Sequence, residues 1–227
     1  MGGEVVSVNE RLAFLLGRAL GLPVADLQSY AVNDAVSTVK IGVISIEHAQ
    51  HWGPWHQFEH TPMFDRADYA GSCRRLICNL QAFRETVVFD IWIRNSDRHR
   101  NNILLDEQEP SRRYEIVLID HSHTFMHTDG SRSGEFMDLG SNDLGFLRPE
   151  EKQLVQLLVS HRCQFEDVLC RIEGLPEAEI QGLTQIATMK YEDPPGDFTR
   201  KLSEGLLERR KHLRGAISDL CNSLGIA

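Results

Sequence analysis

At 227 residues, 41% hydrophobic and 25% charged, the chain has the length and composition of a folded domain with its own core, which excludes a disordered or fibrous protein. Its formal charge of -9 excludes a protein that holds nucleic acid by general electrostatic attraction, because neutralising phosphates takes a basic surface. The five cysteines, Cys73, Cys78, Cys163, Cys170 and Cys221, form no CxxC pair, so no disulfide framework or zinc ribbon is signalled and a reducing cytoplasm is the expected location.

The start Met1-Gly2-Gly3 hints at N-myristoylation, but Val6 stands where that signal wants Ser or Thr. No stretch approaches the roughly 18 uninterrupted apolar residues of a membrane span, so no membrane role is expected. From Asn9 to Leu20, the residues Leu12, Leu15, Leu16, Ala19 and Leu20 recur at helical spacing, and Gly21-Leu22-Pro23 is a stop signal. Leu27 to Val32 and Ser37 to Ile46 then read as the strands of a β-hairpin with turn chemistry at Asn33-Asp34. Trp52 through Pro62, rich in aromatics, histidines and prolines, has no period and is expected to be a connecting loop or domain hinge.

Leu76, Leu80, Phe83, Val87 and Ile91 mark one long buried helix from about Cys73 to Arg94. Two short apolar runs, Ile103 to Leu105 and Ile116 to Ile119, flank the polar segment Asp106 to Tyr114 and predict a second hairpin. From Pro149 onward the pattern is helical, with breaks at Gly174-Leu175-Pro176 and Pro194-Pro195-Gly196. Near the end, Arg209, Arg210, Lys211, His212 and Arg214 are expected on the solvated face of a helix whose apolar stripe is Leu206, Leu213, Ile217 and Leu220.

Chemistry concentrates between the long helix and the second hairpin. Asn95-Ser96-Asp97-Arg98-His99-Arg100-Asn101-Asn102-Ile103 precedes the first strand, and Ile119-Asp120-His121-Ser122-His123 follows the second. Phosphoryl transfer from ATP needs a carboxylate to orient or deprotonate the acceptor hydroxyl and oxygen ligands to hold magnesium against the phosphates. Asp97 meets the first need, and Asn102 with Asp120 the second, since the hairpin folds Asp120 back toward Asn102. A lone Asp after a strand is often only a turn or cap residue, so the joint spacing carries the reading.

The DRHxxNI string from Asp97 to Ile103, with Leu118-Ile119-Asp120, resembles the catalytic and metal-binding loops of HipA-like Ser/Thr kinases and of phosphoinositide 3/4-type lipid kinases. The helix that carries Asn9-Glu10 and ends in Gly21-Leu22-Pro23-Val24 resembles the HipA-like side. The resemblance spans about Ser7 to Leu220 and is specific at positions 90 to 125. It implies an α/β (α+β) protein-kinase-like fold, with a truncated β-containing N-lobe over about 1–50 and a mainly helical C-lobe over 51–227. It further implies ATP and magnesium as cofactors and a protein substrate, with Asp97 as catalytic base or orienter and Asn102 and Asp120 on the metal. Glu10 matches the glutamate that pairs with the ATP-contacting lysine, and His99 would handle protons or brace the loop. Ile46-Glu47 would lead into the adenine-contacting hinge.

The sequence departs from that pattern in the N-lobe. No lysine precedes Glu10, the first being Lys40, and no glycine-rich phosphate loop occurs beyond Gly2-Gly3. A chain that starts late, a catalytically dead pseudokinase and an active variant using Lys40 or an arginine all satisfy this pattern. Two further readings stay open. A binding module could retain the kinase fold without catalysis, and His99, His121, His123 and His127 with Asp97 and Asp120 could form a transition-metal hydrolase site. The bland alternative makes Asp97 a loop cap, with Arg98 and Arg100 paired to surface carboxylates.

Overall fold

The computed structural model describes residues 2–33, 38–44, 52–109, 111–125, 144, 147–189 and 197–227. It opens with helix α1, Gly2–Ala19, which buries Val8, Leu12, Ala13, Leu16 and the following Leu20. The helix ends at Gly21, in the left-handed region at φ +69°. There Gly21 N–H bonds Arg18 O and Leu22 N–H bonds Gly17 O, a Schellman closure that satisfies the last carbonyls. Strands β1, Leu27–Asn33, and β2, Thr38–Ile44, pair antiparallel as the first expected hairpin, and β2 packs on α1. The tip after Asn33 and the Ile46-Glu47 segment lie outside the described residues.

The expected loop from Trp52 is instead a short strand, β3, Trp52–Pro54, followed by a turn of helix, α2, Trp55–Phe58. The expected long helix is two helices, α3, Tyr69–Leu76, and α4, Leu80–Ile93. The break has a tertiary cause. Ile77 bridges to Tyr114, and the Asn79 side chain takes the place of a strand residue, accepting from Ile116 N at 2.7 Å and donating to Ile116 O at 3.2 Å. Nearly every side chain of α4 is buried, so this helix runs through the centre of the core.

The second hairpin forms as expected with longer strands, β4, Ile103–Gln108, and β5, Arg113–Leu118, in a sheet ordered β3-β4-β5. Its register sets Ile103 opposite Leu118. Val24 extends the sheet beyond β5: Leu118 N–H bonds Pro23 O at 2.8 Å, and Ala25 N–H bonds Leu118 O at 3.0 Å. The remainder is helical, with α5, Pro149–Leu158, α6, Glu166–Gly174, α7, Glu177–Thr188, and α8, Phe198–Leu224. α6 and α7 divide at Gly174-Leu175-Pro176, and Pro194-Pro195-Gly196 lies outside the described residues. α8 packs on α4, α6 and α7. Its basic run departs from expectation at Arg209, which is 3% exposed and bonds Ile91 O of α4.

Candidate active site

Helix α4 stops at Arg94, a left-handed residue at φ 54°, which turns the chain sharply into the segment 95–102. Asp90, one turn earlier, is fully buried in a helix whose other buried side chains, Thr86 apart, are apolar. Such a carboxylate needs partners, and the turn supplies them: Asn95 Nδ2 donates to Oδ1 at 2.9 Å and Arg98 Nε donates to Oδ2 at 2.8 Å.

Arg98 is therefore no surface residue, as the bland reading had it, but the bracket of the site. Its Nη1 donates to Asn102 O at 2.7 Å and to Ile119 O at 2.8 Å, tying the two motif segments together. Nη2 lies 2.9 Å from His121 Nε2. A guanidinium only donates, so Nε2 accepts and the His121 proton sits on Nδ1. Burial alone would lower the Arg98 pKa, but the charge of Asp90 and its hydrogen bonds outweigh burial and raise it. Arg98 is a cation at every accessible pH.

Around this bracket the expected site residues converge. Ile119 N–H bonds Asn102 O, and Asp120 follows in the left-handed region at φ 55°. Asn102 Nδ2 donates to Asp97 O at 3.0 Å, and no described residue engages its Oδ1. Ser122 donates to Asp120 Oδ1 through Oγ at 2.6 Å and N–H at 3.4 Å, leaving Oδ2 free among the described residues. Burial works to raise the Asp120 pKa, yet the Ser122 hydrogen bonds prevail and lower it. An ionised carboxylate oxygen and an amide oxygen at one hairpin end suit magnesium, which commonly binds one or two carboxylates plus substrate phosphates.

The Asp97 carboxylate is 19% exposed and ion-paired to Arg148, the residue that precedes α5. His99 faces it, with Nε2 4.0 Å from Asp97 Oδ2 while Nδ1 accepts from Asn101 N–H at 3.2 Å. Glu10 meets the second motif segment, where its Oε1 accepts from His121 N–H at 2.8 Å, and Asn9 Nδ2 donates to Ser122 O at 2.7 Å. α1 thus holds the Asp120 segment from behind. Lys40 falls in β2 opposite Ala31.

Beside Asp97 opens a cleft of about 650 Å³ lined by His56, His99, Arg100, Arg148, Glu150 and Gln153 among others. Arg100 forms a fixed wall, bonded to Glu59 at 3.0 Å and Gln153 at 3.4 Å. Sequence reasoning missed Asp90, Arg148 and this cleft, and left Trp55, now a core residue, unassigned. Asp90 had a readable signal, a lone acid in the apolar run Val87 to Ile93; Arg148 had none. Of the suggested transition-metal cluster, His121 is committed to Arg98, and His127 lies outside the described residues. No group of three or more His, Cys, Asp or Glu poised for a metal occurs among the described residues.

No curated protein matches the chain. Among solved structures it is similar to CtkA, a proinflammatory kinase of Helicobacter pylori, at TM-score 0.57 and 14% identity over 96% of this chain and 82% of that one. That likeness shows a kinase-like fold, in keeping with the mixed helix and sheet architecture. The family described as HipA-like kinase matches residues 3–138, more than half of the sequence and the whole of the segment built around Arg98. The chain belongs to the HipA-like kinase family.

Proposed function

We propose that the chain transfers the γ-phosphoryl group of ATP to the hydroxyl of a protein Ser or Thr, with magnesium held by Asn102 and Asp120. In this reading residues 1–50 form the N-lobe-like part and 51–227 the catalytic lobe. The observation that supports it is the pair of hydrogen bonds from Arg98 Nη1 to Asn102 O and Ile119 O, which ties together the two segments that carry the proposed residues. Magnesium, when bound with ATP, neutralises the charge that builds on the phosphates during transfer. Asp97 orients the acceptor hydroxyl and takes its proton. The acceptor oxygen bonds to the γ-phosphorus as the bond to the β–γ bridging oxygen breaks, and ADP leaves with that electron pair. His99, its Nε2–H directed to the Asp97 side, braces the carboxylate. Arg98 and Asp90 contact no substrate and act by positioning.

Thermal unfolding with and without magnesium-ATP tests this reading. At about 100 times the dissociation constant, ligand stabilises by roughly 2.7 kcal/mol, a shift of several degrees for a chain of this size. Asp97→Ala should keep the shift and abolish transfer. Asp120→Asn, chosen because Asn tolerates the left-handed backbone, should lose the magnesium-dependent part of the shift. Equal loss of binding in both variants would sink this division of roles. One observation favours the binding-module reading instead: Glu10, matched to the lysine-pairing glutamate, is held by His121 N–H. A folded chain with no nucleotide shift would select it.

A further inference from the structure

We infer that Arg148 is a specificity-determining residue that covers Asp97 until an acidic acceptor segment, a Ser or Thr flanked by Asp or Glu, draws the guanidinium away. The inference deepens the kinase reading and rests on Asp97 as the group that meets the acceptor.

Two features make Arg148 a movable cover. Its backbone is extended, φ -68° and ψ 148°, with Pro149 as the next residue, a combination the proline ring enforces. Proline narrows the backbone freedom of Arg148, which leaves the long side chain, 47% exposed, as the part free to move. Its one bonded partner among the described residues is Asp97. With Arg148 half exposed and screened by solvent the pair is weak, and a competing carboxylate can replace Asp97 at little cost.

The acceptor hydroxyl must come within hydrogen-bond reach of the same carboxylate that Arg148 holds. A neutral acceptor would break the pair and leave Arg148 to water. An acidic neighbour in the acceptor gives the guanidinium an equivalent partner as Asp97 is uncovered. The cleft has room for such a segment, at about 650 Å³, and among the described residues Arg148, Arg100, His56 and His99 line it against one carboxylate, Glu150. Arg100 is committed to Glu59 and Gln153, which leaves Arg148 as the cation that can change partner.

The test uses the full chain and two fluorescent Ser peptides that differ only in flanking Glu or Gln, with binding read by anisotropy. A weak, solvent-screened ion pair predicts up to about fivefold tighter binding of the Glu peptide by the wild type. Arg148→Gln should reduce that ratio to near unity with an unchanged unfolding midpoint. Arg148→Gln combined with Glu150→Gln restores the charge of the cleft, and it should still fail to discriminate if contact with Arg148 matters. Equal or undetectable binding of the two peptides by the wild type, or discrimination kept in Arg148→Gln or regained in the double variant, overturns the inference. Turnover with magnesium-ATP separates it from the kinase reading. Arg148-dependent discrimination without transfer upholds the inference and defeats that reading; transfer without discrimination does the reverse.

Discussion

Arg98 and Asp90 meet where neither touches solvent: Nε and Oδ2 are 2.8 Å apart, with side chains 2% and 0% exposed. A buried pair of this kind adds little against a well-packed apolar replacement, but losing one member strands the other. Arg98→Ala and Asp90→Ala should each cost about 3–5 kcal/mol, and the double variant less than their sum. Urea unfolding midpoints at constant slope provide the measurement. Additive costs would mean that the two residues act separately.

Glu151 makes the contrasting case. It is 3% exposed, with neither carboxylate oxygen hydrogen-bonded to a described residue. Burial, then the charge of Asp90, raise its pKa well above the usual range, against the opposing pull of Arg98 and Lys152. A carboxyl raised on folding stabilises fully below the unfolded pKa of about 4.3 and progressively less as pH rises toward the folded value. Glu151→Gln, which keeps the shape without the titration, should therefore gain on the wild type as pH increases from 4 to 8.5. Unfolding midpoints of the two across that range decide it, and a constant difference would rule out the raised pKa.

The hairpin that carries the candidate residues Asp97, Asn102 and Asp120 was legible in the sequence because its strands show as two short apolar runs on either side of a polar, proline-containing segment. The break between α3 and α4 was not. Leu76, Leu80 and Phe83 keep helical spacing across it, and its cause, Asn79 bonding to Ile116, is 37 residues away. β3 was hidden for the same reason, since its three residues are strand only because Asp106, Leu105 and Leu104 lie opposite. Arg98 and Arg209 show the limit for charged residues, whose burial depends on partners that a local pattern does not reveal.

Arg209 and Lys211 share one basic run and should behave differently. Arg209 satisfies a buried carbonyl of α4, whereas Lys211 is 68% exposed and pairs with Glu208. Arg209→Ala leaves Ile91 O without that donor and should cost about 1–3 kcal/mol. Lys211→Ala should stay within about 0.5 kcal/mol. Differential scanning calorimetry of the two variants would show equal effects only if Arg209 were solvated.

Gly17→Ala sets two effects against each other. In a helix Ala is favoured over Gly by roughly 0.8–1.0 kcal/mol, but here an added Cβ would stand 2.6 Å from Val24 Cγ1. Overpacking typically costs about 1–3 kcal/mol, so the variant should be net destabilised by up to about 2 kcal/mol. Chemical denaturation measures this directly, and a stabilised variant would show that Val24 can turn aside freely.

Val24 is also where α1 joins the sheet, and with Asn9 and Glu10 it gives that helix three separate holds on residues 118–122. Helix and loop are thereby linked in the thermodynamic sense. Any molecule that binds the outer side of α1 and shifts it would change the free energy of filling the proposed Asp120 site, and an occupant of that site would change the affinity for the molecule on α1 by the same factor.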